Sequence, residues 1–284
     1  MISLRLKKKF IIYILVFLLL GCQSQQQDTE KSVFSWHKQE VLNGKDNFFN
    51  TLQSFNVQNV YQYFSRDLTD DQIDSFINEC SQQDISVYYL CGISEYALSE
   101  NYTQLSQEIE RAKYISQLTS ENNIKGIVLD IEPYLLDEFE DDAKSIMSEF
   151  YDNLKQAYTL TKSYDLKMIV CIPYYYDTQN LTSFLENLLK DGCDGIAIMN
   201  YYQSHEAQHI QTEIELCQKY QKECINIFEL SAPEDGITEE NTYYDEGIST
   251  AMEHFQMIQE NYDEYKLSLC FHDYHYLKEL LENE

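Results

Sequence analysis

From residue 32 onward, short apolar runs alternate with longer amphipathic stretches, with no repeat and no low-complexity break. Apolar runs at 32–37, 59–65, 85–92, 126–134, 167–176, 195–202, 225–231 and 267–274 have strand length and strand composition. Between them the period becomes helical. Residues 71–80 set Ile73, Phe76, Ile77 and Cys80 on one face, and Thr69 stands where an N-cap belongs. The same pattern returns at 143–160 and 182–189, and a short helix is expected at 276–284. Acidic side chains at 137, 138, 140, 141 and 142 suit a helix N-terminus and match no calcium-loop spacing. Eight alternating strand–helix units predict a parallel sheet closed into a single (β/α)₈ TIM barrel of the α/β class. No Gly-x-Gly-x-x-Gly follows the first strand, so the dinucleotide-binding alternative lacks its fingerprint.

One strand stands out. Gly126-Ile-Val-Leu-Asp-Ile-Glu-Pro-Tyr134 begins as a buried run and ends in Asp130 and Glu132, two residues apart. Strand alternation puts both carboxylates on one face, roughly 7 Å apart along the backbone. Carboxylates at the end of an apolar strand are costly unless paired or working. In a parallel barrel that end is the active face. The other strand ends bring Trp36, Tyr63 and Arg66, Tyr134, Tyr174 to Tyr176, Asn200 to Tyr202, Glu229, and His272 with Asp273. Carboxylates with aromatic faces suit glycoside cleavage. The candidate catalytic pair is Glu132 with Asp130. The candidate substrate contacts are Tyr201, Trp36, Tyr134, Tyr174, Asn200, Glu229, His272 and Asp273. No His or Cys cluster is dense enough for a metal, and no cofactor is expected.

Charge and the chain's beginning narrow the setting. The 20 basic and 48 acidic side chains give a net charge of −28. This argues against nucleic acid as a partner and reads as a solvated exterior. Arg5, Lys7, Lys8 and Lys9 precede an apolar run from Phe10 to Leu20, as in a signal peptide over residues 1–21. Leu19-Leu20-Gly21-Cys22 resembles the lipobox of bacterial lipoproteins. The resemblance implies cleavage before Cys22, lipidation of that Cys (palmitate among the acyl groups), and a membrane-anchored, extracytoplasmic protein. Residues 22–31 would be the lipidated Cys and a polar linker, and 32–284 the barrel, expected as a monomer. The seven other cysteines form no C-x-x-C pair, so they make neither a disulfide framework nor a zinc motif. Cys91, Cys171 and Cys270 lie inside apolar strand runs and read as small core residues, and Cys217 and Cys224 could bridge.

Lys125-Gly-Ile-Val-Leu-Asp-Ile-Glu132 resembles the strand-four signature of family 18 glycoside hydrolases, Asp-Gly-x-Asp-x-Asp-x-Glu. Gly126 matches the glycine, Asp130 the last aspartate and Glu132 the catalytic acid. Asp194-Gly-Ile-Ala-Ile-Met-Asn-Tyr-Tyr202 is similar to that family's strand-six Met-x-Tyr-Asp through Met199 and Tyr201. The resemblance implies a chitinase-like barrel acting on a glycan. Val128, Lys125 and Tyr202 stand where the family has acids, which points away from its substrate-assisted chemistry. A second resemblance is to clan A glycosidases, with Glu132 and Glu229 as the acid/base and nucleophile of strands four and seven. The alternative function is a carbohydrate-binding lipoprotein that does not cut.

Overall fold

The computed structural model describes residues 29–42, 45–119, 123–234, 236–262 and 264–283. The expected signal peptide and Cys22 lie outside these residues. The strands are β1 (Lys31–Ser35), β2 (Asn59–Gln62), β3 (Ser86–Cys91), β4 (Ile124–Leu129), β5 (Lys167–Pro173), β6 (Gly195–Met199), β7 (Glu223–Glu229) and β8 (Ser268–His272). All neighbours are parallel, and β1 pairs with β8, so the sheet closes as a (β/α)₈ barrel. The helices in chain order are α1 (Lys38–Leu42), α2 (Lys45–Ser54), α3 (Asp70–Gln82), α4 (Tyr102–Leu118), α5 (Phe139–Ser163), α6 (Thr182–Asp191), α7 (Glu206–His209), α8 (Gln211–Tyr220), α9 (Gly247–Asn261) and α10 (Tyr274–Asn283). None of the described helices is long and apolar enough to cross a membrane.

The expected strands all form, but most stop two to five residues earlier than their apolar runs. Side-chain alternation outlasts the hydrogen-bond ladder, because the chain splays outward at the mouth while keeping its period of two. Helix α3 starts at Thr69 with a full capping box: the Thr69 hydroxyl accepts from the Gln72 N–H, and the Gln72 side chain accepts from the Thr69 N–H. The acidic run opens α5 as the dipole argument requires.

Alternation also divides the core in two. On β4, Ile127, Leu129 and Ile131 pack outward under the helices, while Val128 joins the barrel lumen. The lumen is filled by Phe34, Tyr61, Tyr88, Leu90, Ile169, Cys171, Ala197, Ile225, Ile227 and Cys270, with Met199 near its top. Trp36, Tyr63 and Tyr201 cap it on the mouth side. It is a packed interior and not a pore. The seven described cysteines are all buried free thiols, Cys217 and Cys224 included.

Gly126 lets β4 and β5 approach closely: a Cβ there would lie 2.4 Å from the Lys167 carbonyl oxygen. The obstacle is backbone, so it yields only by moving a strand. Gly126→Ala is expected to cost about 1–3 kcal/mol, read as a lower urea midpoint at unchanged slope. An unchanged midpoint would show that the β4–β5 spacing is not under this constraint.

Candidate active site

The residues after each strand continue its register, so position parity decides which side chains reach the mouth. On β4, Val128 faces the lumen, and Asp130 and Glu132 follow it upward. Asp130 is fastened by its N–H to the Cys91 carbonyl at 2.9 Å. Gly92 makes this approach possible, since a Cβ there would sit 2.4 Å from the Asp130 carbonyl oxygen. The Asp130 Oδ1 is buried and accepts no hydrogen bond of ordinary geometry, although the Cys171 thiol lies beside the carboxyl. Burial, and then the neighbouring charge of Glu132, push the Asp130 pKa up to about 6. Glu132 is half-buried. Its Oε2 accepts from the Tyr134 hydroxyl, and its Oε1 has no partner among the described residues. The Tyr134 phenol is driven far above its ordinary range by burial and by Glu132.

Opposite stands a second, tightly bonded group. Glu229 is 2% exposed. Its Oε1 accepts the N–H groups of Leu230 and Ser231 at 3.0 and 2.8 Å, and its Oε2 meets His272 Nδ1 at 2.8 Å. Burial alone would raise its pKa, but His272 and the Ser231 N–H outweigh that and hold it below the usual carboxylate value. The Trp36 indole lies 3.1 Å from His272 Nε2. An indole N–H can only donate, so the network assigns Nε2 as acceptor and places the proton on Nδ1, toward Glu229. Burial opposes charge on His272, but Glu229, with Asp130 and Asp273 behind it, pushes its pKa up to about 9. The two demands compete, because a second proton on the ring would break the bond to Trp36. The hydrogen-bond geometry decides for the neutral ring here, with a further proton within reach.

Tyr201 lies between these groups. Its phenol is raised by burial and then by Glu229 and Asp130, and its hydroxyl has no partner among the described residues. Its backbone carbonyl accepts from Asn241 Nδ2 at 2.6 Å, so the long loop after β7 is laid against the end of β6.

Other candidates are turned elsewhere. Asn200 has the opposite parity to Tyr201 and is buried behind the sheet, donating to Asn226 Oδ1 and the Glu206 carbonyl. Tyr174 stacks on His209 at 4.5 Å. Its neighbour Tyr175 packs at 6.1 Å from Tyr134 and feels the charge of Glu132, a mouth position absent from the candidate set. Asp273 caps the start of α10 through the N–H groups of His275 and Tyr276. Arg66 pairs with Glu108 of α4 at 2.6 Å and not with Glu229. Among the described residues, no group of three or more His, Cys, Asp or Glu side chains is arranged to hold a metal ion.

No protein-family model matches the chain, and no curated protein matches it in sequence. Among solved structures it is similar to a GH18 chitinase from Pseudoalteromonas aurantia, at TM-score 0.56 and 10% identity, over 90% of this chain and 100% of that one. A GH18 chitinase from Cycas revoluta, solved in complex with (GlcNAc)4, matches at TM-score 0.55 and 9% identity, over 89% and 99%. A xylose isomerase domain protein from Planctomyces limnophilus matches at TM-score 0.53 and 14% identity, over 90% and 93%. These likenesses show the barrel fold. Proteins of different chemistry share it, so the reaction has to be argued from the site.

Proposed function

We propose that this barrel hydrolyses O-glycosidic bonds of an extracellular or cell-envelope glycan, with Glu132 as the general acid. One observation carries the reading. Glu132 is half-buried, with one carboxyl oxygen held by Tyr134 and the other without a partner among the described residues, next to an Asp130 whose pKa is pushed up to about 6. Such a pair has two roles available. The proton that the raised Asp130 keeps within the pair is shared with Glu132, which passes it to the leaving oxygen as the glycosidic bond breaks. Asp130, then ionised, stabilises the positive charge developing on the sugar, and a water adds to the anomeric carbon and returns a proton to the Glu132 carboxylate. Tyr201 directs a hydroxyl toward the same place, and Trp36, Tyr134 and Tyr175 offer ring faces. Nucleophilic attack by Glu229 is disfavoured, because both of its oxygens are occupied and it is buried. Its role in this reading is to hold His272 in one tautomer.

A second reading, a barrel that binds a glycan without cutting it, is favoured by Val128, Lys125 and Tyr202 at positions where family 18 has acids. We further place the protein outside the cytoplasm as a monomer held by a lipid on Cys22, on the strength of the sequence from Leu19 to Cys22 alone. The deciding experiment is product release. The purified chain is incubated with a panel of envelope and extracellular glycans, and new reducing ends are counted. Reducing ends from at least one glycan support hydrolysis; binding of glycans with no release from any of them leaves the binding reading.

A further inference from the structure

A cleft of about 450 Å³ opens beside Asp130, between the ends of β1, β2 and β3, and is lined by Trp36, Tyr63, Arg66, Cys91, Gly92, Ile93 and Glu108. From its donors and acceptors we infer that it holds a sugar bearing a carboxylate, which makes the substrate class an acidic, uronate-containing glycan. Calling that ligand a substrate rests on the hydrolase reading; the binding does not.

The volume is within the range of small-ligand sites. Trp36 and Tyr63, with ring centroids 6.4 Å apart, form an aromatic wall, and Ile93 is an exposed apolar lip. Aromatic faces of this kind suit the C–H face of a sugar ring. The polar side is one-sided. Arg66 is the only basic residue of the lining, and its side chain is 59% exposed. One of its nitrogens donates to Glu108 Oε1, and its remaining N–H groups have no partner among the described residues. Glu108 is satisfied from behind: Tyr89 donates to Oε2, Tyr96 to Oε1, and its side chain is only 12% exposed. The Trp36 N–H is taken by His272. The charged side of the cleft therefore offers free guanidinium donors, while three of the about four acceptor sites of Glu108 are already taken and its side chain is largely covered. A sugar hydroxyl needs somewhere to place its own proton, whereas a carboxylate only accepts. It also matches the planar guanidinium fork with two parallel bonds.

The position of Arg66 is built in. Arg111, from α4, donates to the carbonyls of Phe64 and Ser65, and Gln62 donates to the Tyr63 carbonyl at 2.7 Å. These bonds pin the turn that presents both Tyr63 and Arg66. The net charge of −28 does not forbid an anionic ligand, because at physiological salt charges more than about 8 Å away are largely screened. Asp130 and Glu132 at the other end repel the carboxylate locally. That repulsion orients the ligand, carboxylate toward Arg66 and scissile bond toward Glu132.

The test uses the full chain carrying Glu132→Gln, so that no ligand is consumed. Oligomers of galacturonate, glucuronate, mannuronate and guluronate are each titrated calorimetrically beside their methyl esters, which differ only in the carboxylate. At least one acid form is expected to bind about tenfold or more tighter than its ester, and Arg66→Gln is expected to abolish that difference. If no acid form outbinds its ester, or if the preference survives Arg66→Gln, the inference is overturned. Hydrolysis by the wild-type chain is read separately. Acid-selective binding without release would sink the catalytic reading and leave the cleft standing, and release from neutral glycans alone would do the reverse.

Discussion

Glu132→Gln is expected to lower glycan turnover by about 10²–10⁴-fold while leaving the concentration dependence of binding nearly unchanged. The amide keeps the size and shape of the carboxyl, and its oxygen can still accept from the Tyr134 hydroxyl, so the mouth retains its geometry. What disappears is the proton for the leaving oxygen. A second consequence belongs to the same substitution. Burial is the larger cause of the raised Asp130 pKa, and the Glu132 charge is the next. With that charge removed, Asp130 should titrate below its present value of about 6. Residual activity that depends on ionised Asp130 is lost in the wild type as pH falls through about 6; in the variant that acid limb should move to lower pH. Initial rates from pH 4 to 8 measure both effects. A Glu132→Gln chain keeping a third or more of wild-type turnover would rule out the assigned acid, since no amide can supply the proton.

The parts of this molecule that were legible in the sequence follow one physical rule. Parallel strands covered on both faces must be apolar almost throughout, so β4 to β8 announced themselves as runs of Ile, Val, Leu, Cys and Met. Acids and aromatics at the ends of such runs have few reasons to be there, which is why Asp130, Glu132, Trp36, Tyr201, Glu229 and His272 were found and do converge. Parity was the finer signal. Met199 and Tyr201 share the lumen side of β6, so Asn200 had to face the helices; Asp273 stands in the same relation to His272. Tyr174, Tyr175 and Tyr176 follow the end of β5, where the register no longer decides; Tyr174 packs on His209, and Tyr175 is the one that packs against Tyr134. Glu108 left no signal. It is one Glu among the polar residues of α4, and only the fold brings it under Arg66.

Glu213 escaped the same way, and it carries a large pH-dependent effect on stability. It lies in the first turn of α8, fully buried, with neither carboxyl oxygen hydrogen-bonded. An amphipathic pattern would have placed a Glu at that position in solvent. Burial, the largest influence, raises its pKa from the ordinary 4.5 to about 8, with Asp177 adding to the rise and its own backbone N–H opposing it. Asp177 is held by the Thr212 hydroxyl at 2.8 Å, and its other oxygen, like His209 Nδ1, is buried without a partner. The folded protein thus keeps Glu213 protonated at neutral pH, while the unfolded chain ionises it above about 4.5. The contribution of the neutral acid is complete below pH 4.5 and is lost steadily as pH rises toward 8. Linkage sets an upper bound of roughly 5 kcal/mol on that loss, and relaxation or water entry around the group reduces it. Glu213→Gln cannot ionise and is isosteric with the neutral acid. It should match the wild type near pH 4 and exceed it by roughly 2 kcal/mol or more at pH 8. Urea midpoints taken on both chains from pH 4 to 9 isolate this difference, because every other titrating group is common to the two. A gap that does not widen with pH would mean that Glu213 ionises in the folded state at little cost. Water or a rearranged Asp177 and His209 would then have to reach it.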